Sequence, residues 1–137
     1  MFITFEGIDG SGKSTQSLIL SEFLKKKGIN HILTREPGGS PGAEAIRSLL
    51  LTGTTDRWSS ITEVLLMFAA RSDHFERTIL PSLKVGQWVL CDRFYDSTVA
   101  YQGYGKGVDF SFLENIYKNV VGDKKPDITF IFDVDIK

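Results

Sequence analysis

Apolar positions along this chain alternate between short continuous runs and helical spacing, regularly enough to predict eight elements. Phe2-Ile3-Thr4-Phe5 is a β-branched and aromatic run suited to a strand. Gln16 to Lys27 carries Leu18, Ile19, Phe23 and Leu24 at helical spacing, which predicts a helix with those four on its inner face. Ile29 to Thr34 reads as a second strand, followed by the charged turn Arg35-Glu36-Pro37-Gly38-Gly39. Pro41 marks a helix start, Ala45, Ile46, Leu49 and Leu50 give its stripe, and Gly53 closes it. A longer helix is expected from Ile61 to Ser82 around Val64, Leu65, Phe68, Phe75 and Ile79. Trp88-Val89-Leu90-Cys91-Asp92 is apolar until its final carboxylate, as a parallel strand buried on both faces should be. Gly103 to Gly107 interrupts the pattern, and Phe112, Leu113, Ile116, Tyr117 and Val120 form another helical stripe. Asp127 to Val134 reads as a core strand.

The order β-α-β-α-α-β-α-β predicts an α/β fold: a parallel sheet with helices on both faces and a site at the C-terminal ends of the strands. The 137 residues suit a single domain, 1–137. A doubly wound sheet calls for a covering helix after the last strand, so the sequence reads as the front portion of a longer protein.

Composition narrows the chemistry. Lys and Arg total 16 against 17 Asp and Glu, a net charge of −1, which argues against a protein that coats nucleic acid. The single cysteine, Cys91, cannot form an intrachain disulfide, and no Cys/His spacing suggests zinc, so a reducing interior is expected. The longest apolar stretch, Val64 to Ala70, is too short to span a bilayer, and acidic residues together with a glycine-rich loop occupy the first fifteen positions, where a secretory signal would lie.

The strongest chemical signal is Gly7-Ile8-Asp9-Gly10-Ser11-Gly12-Lys13-Ser14-Thr15, a complete G-x-x-x-x-G-K-S phosphate loop between a strand and a helix. Its glycines let backbone N–H groups approach phosphate oxygens, and the following helix adds unpaired donors and the positive end of its dipole. Lys13 supplies a flexible point charge for the β- and γ-phosphates, and Ser14 a hydroxyl for Mg²⁺. Thr15 can assist the helix start.

Asp92, at the end of the third strand, is the expected second partner of the metal, and Arg93 would point across the crevice at transferring phosphates. Arg35, Arg47 and Arg71 lie near the same face and favour a second anionic substrate. Met67 and Arg71 share one helical face, with Phe68 within reach of Arg71, so either Met67 or Phe68 can floor a base. Asp9, inside the loop, accepts a sugar hydroxyl, orients Arg35 or faces solvent; Glu36 allows the same readings. The Gln102 amide, beside Tyr101, offers donor and acceptor to a pyrimidine edge. No N-K-x-D guanine signature is present.

Phe5 to Gln16, Thr34-Arg35-Glu36-Pro37-Gly38-Gly39, Phe68-Ala69-Ala70-Arg71, Asp92-Arg93-Phe94 and Ala100-Tyr101-Gln102-Gly103 together resemble the thymidylate kinase family. The resemblance implies a P-loop nucleoside monophosphate kinase fold and transfer of phosphate from MgATP to dTMP, giving dTDP on the route to dTTP. It implies ATP and Mg²⁺ as cofactors, dTMP as small-molecule substrate, no nucleic-acid or membrane partner, a homodimer and a cytoplasmic location. By motif, Gly7, Ile8, Asp9, Gly10, Ser11, Gly12, Lys13, Ser14 and Thr15 bind ATP, with Ser14 and Asp92 holding the metal. Lys13, Arg35, Arg93 and Asp9 carry the catalytic positions. Glu36, Arg47, Met67, Phe68, Arg71, Ser97, Thr98 and Gln102 fall at the dTMP site. Two departures stand out: Met67 occupies a position where the family often has phenylalanine, and the family's arginine-containing lid and C-terminal segments have no counterpart here.

Overall fold

The structure, a computed structural model, describes residues 1–136; Lys137, the last residue of the expected domain, lies outside the described residues. Among the described residues the strands are β1 (Phe2–Gly7), β2 (His31–Arg35), β3 (Trp88–Asp92) and β4 (Ile128–Phe132). The helices are α1 (Lys13–Lys26), α2 (Pro41–Leu51), α3 (Ser60–His74), α4 (Leu80–Lys84), α5 (Tyr95–Thr98) and α6 (Phe110–Val120). All strand pairings are parallel and the order is β2-β3-β1-β4. Among the described residues no helix is long and apolar enough to cross a membrane.

Alternation along the two central strands divides the core. Phe2, Val89 and Cys91 pack with Val64, Phe68, Phe75, Ile79, Leu113 and Tyr117, so α3 and α6 cover one face. Ile3, Phe5 and Leu90 pack with Leu24 of α1 on the other. Helices therefore lie on both faces, as the alternating pattern predicts.

Three expectations need correction. In α1 the buried positions are Lys13, Ser17 and Leu24, while Leu18, Ile19 and Phe23 are more than half exposed. The helix begins at Lys13, whose side chain turns inward, and that fixes the rotation: positions 13, 17 and 24 share one stripe, and the expected face points largely away. Leu65 likewise faces outward from α3 while Val64 and Phe68 face in. Finally, among the described residues β4 pairs with β1 alone and exposes Ile128, Phe130 and Ile131, so the expected core strand is covered on neither side at these positions.

The expected long helix is present as a continuous path through α3 and α4, joined by a π-helical segment at Phe75–Ile79. Pro81 lacks an N–H and its ring would collide with the carbonyl four residues back, so the wider turn, with Leu80 N–H bonded to the Phe75 carbonyl, relieves a conflict inside the helix. A second π-helical segment, Val99–Tyr104, follows α5; neither was expected from the sequence.

Candidate active site

Register aligns the functional ends of three strands. Phe5 and Arg35 both pair with Asp92, so the glycine loop, the turn after β2 and the turn after β3 emerge side by side. The Glu36 N–H bonds to the Asp92 carbonyl at 2.9 Å, and the Arg93 N–H to the Phe5 carbonyl at 2.9 Å, which ties the three turns together.

The glycine loop is built with its donors free. Gly12 adopts φ +94° as the N-cap of α1 and gives that helix no side-chain cap, whereas Ser40, Ser59 and Asp109 cap α2, α3 and α6. The first N–H groups of α1 are thus open to an anion. Lys13 is buried and donates to the Ile8 carbonyl at 2.8 Å, folded across the loop. Ser14 Oγ donates to Asp92 Oδ2 at 2.9 Å, and the buried Asp92 Oδ1 has no partner among the described residues. A hydroxyl beside an unpartnered carboxylate oxygen is a donor set suited to Mg²⁺. Among the described residues there is no cluster of three His, Cys, Asp or Glu side chains that could hold a metal alone, so phosphate oxygens or water would have to complete it.

Two cavities adjoin here and share Asp9, Glu36, Pro37, Leu51 and Arg93. The first, about 580 Å³, runs over Gly10, Gly12, Lys13, Ser14 and Thr15 to Arg35, Arg47 and Asp92. The second, about 450 Å³, is walled by Met67, Arg71, Ser97, Tyr101 and Gln102. A larger space of about 650 Å³ beside β1 and β4 contains no residue of the glycine loop and no arginine.

Arg93 stands at the junction. Its guanidinium donates from Nη2 to Asp9 Oδ1 at 2.7 Å and from Nη1 to Ser97 Oγ at 3.1 Å, and lies 5.3 Å from the Tyr101 ring centre. Partial burial works against its charge, but the hydrogen bond and charge of Asp9 outweigh that and raise its pKa. The same hydrogen bond, then the Arg93 charge and that of Lys13, hold the Asp9 carboxyl below its usual range. Asp9 therefore pairs with Arg93 and not with Arg35, whose guanidinium meets Glu44 Oε2 at 3.0 Å. Arg47 donates to the Pro37 carbonyl at 2.7 Å; burial, then repulsion from Arg35, lowers its pKa.

The second cavity rests on a buried network. Arg71, 1% exposed, donates from Nε to Glu36 Oε2 at 2.7 Å and from Nη2 to Thr98 Oγ1 at 3.0 Å. The other Glu36 oxygen lies 2.9 Å from His74 Nδ1. Because a carboxylate only accepts, His74 donates there, and its Nε2 meets the Thr34 hydroxyl at 2.7 Å. Gly39 has φ +91°, and a Cβ on it would lie 2.2 Å from His74 Nε2, so glycine leaves the space the imidazole occupies. Rings of Phe68 and Phe94 lie 4.9 and 5.1 Å from the Arg71 guanidinium carbon. Arg71 Nη1 and Gln102 Oε1 remain buried without partners among the described residues. Their donor and acceptor are the unspent polar capacity at this end.

Placement of the expected site residues is now clear. Met67 lines the cavity, whereas Phe68 is 2% exposed and belongs to the core beneath Arg71; it does not form the cavity wall. Thr98 is fully buried against Arg71 and is likewise not part of the wall. Ser97 and Gln102 do line it, with Gln102 Nε2 donating to Glu63 Oε1 at 2.7 Å. Ile8 contributes its carbonyl rather than its side chain. Sequence reasoning missed Glu6, Glu63 and His74. For His74 a signal existed: it sits three positions after Arg71 on the same helix, within reach of Arg71's neighbours.

A family model described as thymidylate kinase matches residues 5–137. The chain is 54% identical over 135 residues to the thymidylate kinase of Ruegeria pomeroyi, covering 98% of this chain and 64% of that protein. It is 56% identical over 133 residues to that of Caulobacter vibrioides, covering 97% and 64%. The crystal structure of thymidylate kinase from Ehrlichia chaffeensis superposes with a TM-score of 0.92 at 52% identity, covering 98% of this chain and 77% of that one. The chain thus spans under two thirds of the length of these two curated relatives. With the glycine loop, the Asp92–Arg93 turn and the arginine-walled cavity in one crevice, the chain belongs to the thymidylate kinase family.

Proposed function

We propose that this chain carries the nucleotide-gripping part of an enzyme that transfers the γ-phosphoryl group of ATP to dTMP, releasing ADP and dTDP. The observation that carries the reading is the pair of adjoining cavities meeting at Arg93 and Asp9, one lined by free backbone donors and Lys13, the other by Arg71 and Gln102. The ATP phosphates would lie over Gly10 to Thr15, and the monophosphate between Arg93, Arg47 and Arg35. The base would lie on Met67, reading the unpartnered Arg71 Nη1 and Gln102 Oε1 as donor and acceptor.

Reaction then follows from placement. An oxygen of the acceptor monophosphate forms a bond to the γ-phosphorus while the bond to the β,γ-bridging oxygen breaks, and that oxygen leaves on ADP. No general base is required, because the attacking oxygen is already largely ionised at neutral pH. Lys13 and Arg93 offset the charge of the transferring group, and pre-set positions lower the barrier. Arg35 joins them on leaving Glu44, a partly solvated pair that costs little to break. Mg²⁺, held by Ser14 and Asp92, would supply charge neutralisation at the donor phosphates.

A homodimer and a cytoplasmic location complete the proposal. Leu49 on α2 and Ile61 and Leu65 on α3 are exposed apolar side chains that a second copy would bury, which sedimentation can check. The enzymatic test is ADP release measured with dTMP, dUMP, thymidine and dGMP on the full-length protein and on residues 1–137. Turnover of full-length protein that depends on dTMP, and not on thymidine, is expected. ADP release indifferent to dTMP would overturn the reading.

A further inference from the structure

Arg93 holds an unusual backbone position. With φ +68° it is the one non-glycine residue in the left-handed region among the described residues, where the side chain's Cβ crowds a carbonyl oxygen. Strain of this kind persists only where surrounding contacts over-determine it. On one side the Arg93 N–H is bonded to the Phe5 carbonyl, and on the other its own carbonyl accepts from the Cys91 thiol at 3.1 Å.

The remaining constraint comes from Glu6, a carboxylate inside β1 that the proposed chemistry does not use. Glu6 is 5% exposed and forms no ion pair among the described residues. Its Oε1 accepts the Phe94 N–H at 2.8 Å, locking the peptide just after Arg93, and its Oε2 accepts the Ser97 hydroxyl. Since Ser97 spends its single proton on Glu6, its oxygen lone pairs are left for Arg93 Nη1, which donates to them at 3.1 Å. The chain runs one way, from Arg93 to Ser97 to Glu6, and a negative charge at its end strengthens each step. Burying a carboxylate without a cation is costly unless its hydrogen bonds repay it, and burial does raise the Glu6 pKa. An apolar residue would fill this strand position at less cost if packing were its only role.

We propose that Glu6 is a positioning residue for phosphoryl transfer, acting through Ser97 and the Phe94 amide to fix both the backbone and the guanidinium of Arg93. The inference rests on the kinase reading above and assigns part of its geometry to a residue outside the crevice. It makes Ser97 a relay toward Arg93 in addition to a wall of the second cavity.

The test uses Glu6→Gln, Ser97→Ala and Ser97→Thr in the full-length protein. The glutamine amide can keep the Phe94 bond but would donate to Ser97, reversing the chain. Both Glu6→Gln and Ser97→Ala should lower kcat about 10- to 100-fold, the scale of a misplaced reacting group. In Glu6→Gln, which lies outside the second cavity, KM for dTMP and for ATP should stay near wild type, and Ser97→Thr, which keeps the hydroxyl, should recover most of the rate. A thermal melt run alongside separates this from loss of folded protein: a purely structural role would cut the active fraction and leave kcat per folded molecule unchanged. Should Glu6→Gln fail to fold, Ser97→Ala carries the test alone. Wild-type kcat per folded molecule in Ser97→Ala, or a rate in Ser97→Thr no better than in Ser97→Ala, overturns the inference. Absence of dTMP-dependent turnover in the wild type would instead overturn the kinase reading on which it rests.

Discussion

Lys13 and Arg71 are both buried cations facing one crevice, yet their surroundings are opposite. Among the described residues Lys13 has a single backbone carbonyl for a hydrogen-bond partner, at the head of a helix left without a side-chain cap whose Ser14 meets Asp92, a carboxylate with one unpartnered oxygen. Arg71 is fixed by Glu36, Thr98 and two aromatic rings, and Glu36 in turn by His74. The first end keeps its hydrogen-bonding capacity unspent, as the proposed donor phosphates, with their large charge and changing shape, would require. The second spends nearly all of its capacity internally and leaves one guanidinium nitrogen and one amide oxygen for recognition. Binding strength at the phosphate end should therefore come from the ligand's charge, while selectivity at the other comes from a rigid wall.

That contrast predicts opposite failures. Arg71→Ala strands the buried Glu36 carboxylate, and losing one partner of such a pair costs roughly 3–5 kcal/mol of stability. His74→Ala leaves the same carboxylate half satisfied and should cost less, about 1–3 kcal/mol. Chemical denaturation of both variants checks the order, and a small loss in each would mean the network is looser than its distances imply. Lys13→Met should do the reverse. Turnover of the full-length protein should fall by at least about 10²- to 10³-fold, as for loss of a charge-stabilising donor, while the melting temperature stays near wild type. Near-normal turnover would break the account of the phosphate end.

Two smaller effects sharpen the junction between the ends. At Arg93, glycine should be more stable than alanine by about 1–2 kcal/mol, the reverse of the usual ranking, because only the left-handed backbone penalises alanine. Denaturant midpoints of Arg93→Gly and Arg93→Ala decide it. At Glu6, burial raises the folded-state pKa above the unfolded value, so the native state holds the proton to higher pH. Wild type should therefore lose stability as pH rises from the unfolded carboxylate value through the raised folded value, and Glu6→Gln should lack that decline. A flat difference between the two stability–pH curves would contradict it.

The two ends also differed in how far they could be read from the chain. The phosphate loop is contiguous, and the roles proposed for Gly12, Lys13 and Ser14 follow from spacing and from the flanking strand and helix. Arg93 could be placed because a strand ends one residue earlier. The buried network could not, since Glu36 meets His74 and Arg71 only when the turn after β2 packs on α3, at separations of 38 and 35 residues. Glu6 and Ser97, 91 residues apart, meet for the same reason. Periodicity located α1 but not its rotation, because an inward-facing Lys13 and Ser17 look polar in a pattern that equates burial with hydrophobicity. For Phe68 the periodicity held: it lies on the apolar face of its helix as core below Arg71, while Met67 takes the cavity wall.

The central claim is that two nucleotides meet phosphate to phosphate across Arg93. Calorimetric titration of the full-length protein with dTMP and, separately, with thymidine tests it most directly. Heat of binding with dTMP and affinity at least about tenfold weaker for thymidine, one lost charge-assisted contact or more, is the result expected. Equal affinities, or no heat with dTMP at millimolar concentration, would contradict it.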